Sequence, residues 1–139
     1  MAFGLFRRTP PETQLLIRAL DDFRRGYEKP ELWDGIVIDA AVKGILETVK
    51  TDHAFAKATI GTGGWSASAA AAMLLSEWAH AALLTGETHI YRGVVNDHGR
   101  AMIKLYKVSV AQMINAGTMT KDEGVEQVAE LLDEIKEIG

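Results

Sequence analysis

The chain contains no cysteine. Disulfide bonds, thiolate zinc sites, iron–sulfur clusters and a cysteine nucleophile are therefore excluded. Proline is scarce, with three residues in 139, and the 13 glycines are too few for a collagen-like or low-complexity chain. The sequence also lacks an excess of positive charge, since 15 basic residues face 19 acidic ones. We therefore expect no nucleic-acid partner, because duplex-binding domains usually have a basic footprint.

A long lipid-compatible run is also absent. The most apolar stretch, from Trp65 to Leu84, contains Ser76, Glu77 and His80. About 20 consecutive apolar residues are needed to span a bilayer, so we expect a buried helix and no stable membrane insertion. No secretory leader is recognisable at the N-terminus, which together with the lack of cysteine favours a cytoplasmic protein.

The first eight residues predict a flexible N-terminal tail that precedes the folded domain. They combine three apolar side chains with two arginines, namely Phe3, Leu5, Phe6, Arg7 and Arg8. Such a segment is typically a frayed terminus. Two alternatives are a membrane-surface contact and docking to a partner.

The remaining residues, 9–139, predict a single helical domain. The chain is 47% hydrophobic and 24% charged, which is ordinary for a globular protein of this length. Apolar residues recur at three- and four-residue steps in most segments, so the fold class is all-α, a bundle of about five to six helices with almost no strand. The helices are expected near 10–26, 31–50, 66–84, 88–116 and 121–138, with 51–60 as an extension or a separate short helix.

Three of these helices have recognisable ends. Thr9 followed by Pro10, Pro11 and Glu12 predicts a capped helix start, and Ser66 or Ser68 is placed to cap the third long helix. Thr120 with Glu123 predicts a capping box. Asn96 or Asp97 could begin a new helix within 88–116, so the continuity of that segment stays open.

The helix at 66–84 is expected at the centre of the bundle. It is rich in alanine and nearly apolar all round, which is typical of a helix surrounded by other elements. The last helix differs, because residues 121–139 hold seven acidic residues and two lysines. Its narrow apolar stripe predicts an interface with a second copy or a protein partner, formed by Val125, Val128, Leu132 and Ile135.

One candidate ligand site joins two segments of the chain. Glu77 and His80 have the E-x-x-H spacing that four-helix carboxylate proteins use for metal ions, but the motif occurs only once here. We therefore expect a hydrogen-bonded pair, with no metal and no other cofactor. Tyr91, Arg92 and His98 lie on the next predicted helix and could line a pocket with that pair.

A second candidate is the glycine-rich connector before the central helix. Gly61, Thr62, Gly63 and Gly64 precede a helix start, an arrangement that can hold an anion on backbone amides. No Gly-Lys-Ser/Thr follows, so it is not a P-loop, and a flexible connector is the simpler interpretation.

The sequence favours a cytoplasmic, non-enzymatic interaction or regulatory protein that acts through helix-mediated association, most simply as a homo-oligomer. No Gly-x-Ser-x-Gly elbow, His-Glu-x-x-His helix or dinucleotide fingerprint is present. The alternative is a small-ligand or metal-binding helical protein, or an enzyme, with a site around Glu77, His80 and the Tyr91–His98 segment.

Overall fold

The predicted all-α fold is confirmed. The computed structural model describes residues 9–27, 31–85 and 89–138, and it is 79% helical. The predicted tail, 1–8, lies outside the described residues. The described elements, in chain order, are α1 (Pro11–Gly26), α2 (Leu32–Val49), α3 (Ala54–Ala56), a π-helical turn (Lys57–Thr62), α4 (Ala67–Leu84), β1 (Ile90–Tyr91), β2 (Val94–Val95), α5 (Asp97–Asn115) and α6 (Lys121–Glu137).

The alanine-rich helix α4 occupies the centre, as expected. It packs against α5, α1 and α2, and its first turns are completely buried from Ala69 to Ala72. The Ser66 hydroxyl accepts a hydrogen bond from the Ala69 amide at 3.2 Å, which confirms the predicted cap. Among the described residues, α4 alone is long and apolar enough to cross a membrane, a criterion that buried core helices also meet.

The two helices before it follow the sequence pattern with one correction. Helix α1 begins at Pro11 after Pro10, and no side chain caps it, so the predicted Thr9 cap is wrong. Proline can start a helix without such a cap, because the first amides have no intrahelical acceptor. Helix α2 is continuous, and the Ile36–Ile38 triplet is helical.

The segment 51–66 contains a separate short helix, one of the two predicted alternatives. Helix α3 leads into the π-helical turn, which includes Gly61 and Thr62. The break expected at Gly61 therefore begins two residues later, at Gly63. There the chain leaves the turn, with Gly64 in the left-handed region at a φ of 70°.

The expected helix 88–116 is wrong in its first third, where the chain forms a β-hairpin. Strands β1 and β2 are antiparallel, with Ile90 opposite Val95. Arg92 and Gly93 form the two-residue turn, with φ angles of 51° and 75°, as a type I′ turn requires. Asn96 then caps α5, since its side-chain oxygen accepts from the Gly99 amide at 2.7 Å.

The connection from α5 to α6 is defined by two hydrogen-bonded end motifs. The Thr118 amide donates to the Met113 carbonyl at 3.1 Å and the Gly117 amide to the Ile114 carbonyl at 3.0 Å, which is a Schellman motif. The predicted capping box is confirmed, because Thr120 and Glu123 each accept from the other's amide.

Helix α6 is rotated relative to the predicted stripe. The row facing the core contains Gly124, Val128, Leu131 and Ile135. The predicted interface residues are therefore divided, since Val128 and Ile135 pack within the chain while Val125 and Leu132 are 63% and 37% exposed. Gly124 lies close to α5, because a Cβ there would be 2.5 Å from the Ile114 Cδ1 atom and 3.0 Å from the Val110 Cγ1 atom, so a larger residue would require these side chains to shift.

Candidate functional site

A groove of about 460 Å³ runs along the bundle between α4, α5 and α6. Antiparallel packing places the start of α4, the end of α5 and the start of α6 at one end of it. The opposite end lies beside the later turns of α4 and α6. The groove combines an apolar floor with a rim of carboxylates.

The floor consists of large, adaptable apolar side chains. They come from three helices and two connections, namely Trp65, Met73, Met113, Met119 and Leu131. Methionine is flexible and polarisable, so it adapts to ligands of differing shape. Trp65 stands directly after the glycine-rich connector, which places an aromatic ring at one end of the groove.

The rim is acidic. Four glutamates line it, Glu77 from α4 and Glu123, Glu130 and Glu134 from α6, and none of the described lining residues is lysine or arginine. Glu123 accepts hydrogen bonds from the backbone and side chain of Thr120, and these lower the pKa of its carboxyl group. The rim therefore presents four carboxyl groups to a ligand, with no lysine or arginine among the described lining residues.

Tyr106 and His80 connect the rim to the floor. Burial raises the pKa of the Tyr106 phenol, and the negative charges of Glu130 and Glu134 raise it further. The His80 Nε2 atom lies 3.1 Å from the Glu134 Oε1 atom, which ties α4 to α6. The His80 ring also packs on Tyr106, with the ring centroids 6.3 Å apart.

The structure divides the predicted ligand site. Glu77 and His80 both line the groove, but His80 pairs with Glu134 and the expected bond to Glu77 is not found. Tyr91 lies at the tip of the hairpin, 73% exposed, with the Arg92 guanidinium 5.4 Å from its ring centroid. His98 lines a different pocket, together with Trp33 and His89, so the five predicted residues do not meet in one pocket.

His98 belongs to an aromatic cluster that the sequence pattern did not indicate. Its ring stacks on Trp33 and meets His89 edge-on, with centroid distances of 4.6 Å in both pairs. Burial lowers the pKa of His98, and the neighbouring His89 lowers it further. Within the described residues, no three His, Asp or Glu side chains are grouped so that they could hold a metal ion.

Two backbone amides in and directly after the glycine-rich connector donate hydrogen bonds within the chain. The Gly63 amide donates to the Ala58 carbonyl at 2.7 Å, and the Trp65 amide to the Thr59 carbonyl at 2.8 Å. A carboxylate oxygen of Glu12 lies 3.1 Å from the position that a Cβ on Gly61 would occupy. These contacts leave few donors for an anion and place a negative charge beside them.

A second, shallower surface lies between α5 and α6. It is almost wholly apolar, measures about 290 Å³ and includes Val110, Ala111, Ile114, Val125 and Val128. Of the four predicted interface residues, Val125 lines it, Leu132 is partly exposed on the same helix, Val128 is half-buried, and Ile135 is buried.

The groove itself was missed from sequence, because its members come from distant segments. Met73, Met113 and Tyr106 each fit a helical apolar pattern and gave no sign of convergence. The spacing of Glu77 and His80, which both line the groove, and the acidic character of the last helix were the indications that the sequence offered. Comparisons of the chain with models of known protein families, with curated proteins and with solved structures find no match.

Proposed function

We propose that the protein binds a positively charged, partly apolar segment of a partner protein in the groove between α4, α5 and α6. The observation that carries this proposal is the combination of a methionine-rich floor with four glutamates on the rim. A lysine- or arginine-bearing amphipathic segment matches both features, since its apolar face covers the floor and its cations meet the carboxylates.

The floor is suited to peptide side chains of varied shape. Met73, Met113 and Met119 can change rotamer to fit a bound residue, as flexible methionine surfaces do in promiscuous binding proteins. Trp65, which is half-buried, offers a ring face to a bound cation. This proposal keeps the non-enzymatic interaction function expected from the sequence, and the absence of cysteine supports a cytoplasmic location.

The test uses a short fluorescein-labelled peptide of leucine and lysine with its apolar residues on one helical face. Fluorescence anisotropy measures its binding to the full chain, and a leucine–glutamate peptide of the same pattern is the negative control. We expect saturable binding of the cationic peptide only. Its affinity should fall as salt is raised, because screening weakens attraction between exposed charges.

A matched pair of variants locates the site. Replacing Glu77 and Glu130 by glutamine removes two rim charges, and each exposed ion pair is worth about 0.2–1 kcal/mol. The affinity should therefore fall about 2- to 30-fold. Replacing Glu31 and Glu47 by glutamine changes the net charge equally at exposed positions of α2 and its N-cap, which do not line the groove, and should leave the affinity within about twofold, as expected of distant exposed charges. Equal losses of affinity in both double variants would show that the peptide binds by non-specific charge attraction and would refute the proposal.

A second candidate function is self-association through the surface between α5 and α6. Val125 is mostly exposed and adjoins an apolar depression, which is a feature of interfaces between copies. Val125→Asp with Leu132→Asp should turn a dimer into a monomer in light scattering, whereas Val94→Asp on the hairpin should not. Light scattering that shows a monomeric wild-type chain at high micromolar concentration would rule this candidate out.

A further inference from the structure

We propose that residues 1–8 of the chain occupy this same groove intramolecularly and compete with the partner segment. The inference rests on the proposed function, because it names a second ligand for that site. Its basis is the match between the composition of the segment, the chemistry of the groove and the position at which α1 begins.

The segment has the composition that the groove requires. Phe3, Leu5 and Phe6 are apolar, and Arg7 and Arg8 follow directly with two positive charges. The segment contains no acidic residue. It therefore carries both kinds of side chain that the floor and rim can bind, without a charge that the rim would repel.

The start of α1 lies near the end of the groove that Trp65 lines. Glu12, in the first turn of α1, contacts the connector at Gly61, and Trp65 lies four residues further along that connector in the groove wall. Four residues span at most about 14 Å, and the eight residues of the segment reach about 26–29 Å when extended. The segment can therefore enter the groove from the Trp65 end.

This attachment point also sets the direction of the segment. Arg7 and Arg8 directly precede Thr9 in sequence, so this arrangement assigns them to the Trp65 end of the groove, which Glu123 also lines. The apolar residues from Phe3 to Phe6 then extend over the methionines. Tethering gives the segment an effective concentration in the millimolar range, which favours the copy within one molecule over the segment of a second chain.

The experiment uses two features of the sequence. Because the chain has no native cysteine, Ala2→Cys provides a single site for a nitroxide spin label on the full-length protein. Methyl-labelled methionines report proximity to it by NMR. Met73, Met113 and Met119 lie in the groove, whereas buried Met102 lies eleven residues before Met113, about 16 Å along α5, and is the internal control.

We expect the label to broaden the three groove methyl signals much more than the Met102 signal. The pattern should persist when labelled protein is diluted into unlabelled protein, because the contact is intramolecular. The combined substitutions Phe3→Ser, Leu5→Ser and Phe6→Ser should abolish the selective broadening. Equal broadening of all four signals, or its loss on dilution, would overturn the inference.

Competition separates this inference from the proposed function. If the segment fills the groove in about nine molecules of ten, deleting residues 2–8 should tighten binding of the leucine–lysine peptide about tenfold. An unchanged affinity with intact peptide binding would refute the inference alone. Selective broadening by the spin label, with no peptide binding to the truncated chain, would refute the proposed function alone.

Discussion

The buried phenol of Tyr27 gives the structure its sharpest stability test. Tyr27 ends α1 and is 8% exposed, and no described residue forms a hydrogen bond with its hydroxyl group. Burial and the nearby carboxylate of Asp34 raise its pKa to about 12. A buried hydroxyl without a partner costs about 1–3 kcal/mol, so Tyr27→Phe should stabilise the protein at pH 8 by about 1 kcal/mol.

The pH dependence follows from the direction of the shift. The unfolded phenol ionises near pH 10, while the folded phenol keeps its proton up to about pH 12. Between these values the unfolded state binds fewer protons, so the free energy of unfolding falls as pH rises. The full two-unit difference corresponds to about 2.7 kcal/mol, of which about 1.4 kcal/mol is lost by pH 11.

Urea unfolding followed by circular dichroism at pH 8, 10 and 11 measures both effects. The stability advantage of Tyr27→Phe over the wild type should grow by about 1.4 kcal/mol between pH 8 and pH 11. Tyr91→Phe is the control, because Tyr91 is exposed, and its difference from the wild type should stay near zero. A Tyr27→Phe advantage that is constant with pH would show that the phenol titrates normally and would refute this reasoning.

Three further predictions test the packing, each measured by urea unfolding at neutral pH. Leu131→Ala should cost about 2–4 kcal/mol and Leu132→Ala less than about 1 kcal/mol, because only the first is fully buried; equal costs would contradict the orientation of α6. Thr120→Ala should lower the free energy of unfolding by about 1 kcal/mol through loss of the capping box; an unchanged free energy would show that the box does not stabilise α6. Lys104→Met should cost about 1–2 kcal/mol, because Asp34 is nearly buried and loses a contact of 3.1 Å; adding Asp34→Asn should recover part of it.

Local features of the chain were the most predictable from sequence. The capping box of Thr120 and Glu123 needs only residues three apart, and Ser66 needs only the first turn of its own helix. The hairpin could have been predicted from Arg92-Gly93, since a glycine in a two-residue connection favours a type I′ turn. It was missed because Tyr91, Val94 and His98 also fit helical spacing.

The groove depends on contacts that no local pattern contains. His80 and Glu134 are 54 residues apart and meet only because α6 packs back across α5 and α4. The E-x-x-H spacing suggested a bond between Glu77 and His80, yet the closer acceptor comes from another helix. Identifying the site therefore required the relative placement of three helices.

The orientation of α6 determines both candidate binding surfaces. Successive residues in a helix are separated by about 100°, so a shift of one residue would turn Val125 and Leu132 towards the core. The same shift would move Glu130 and Glu134 away from their present positions on the groove rim. Gly124 has no side chain and lies close to α5, so a Cβ at this position would lie 2.5 Å from the Ile114 Cδ1 atom and would force that side chain to shift. Burial of Leu131 and Ile135, with Gly124 allowing close packing on α5, therefore favours the orientation that places Glu130 and Glu134 in the groove and leaves Val125 and Leu132 exposed.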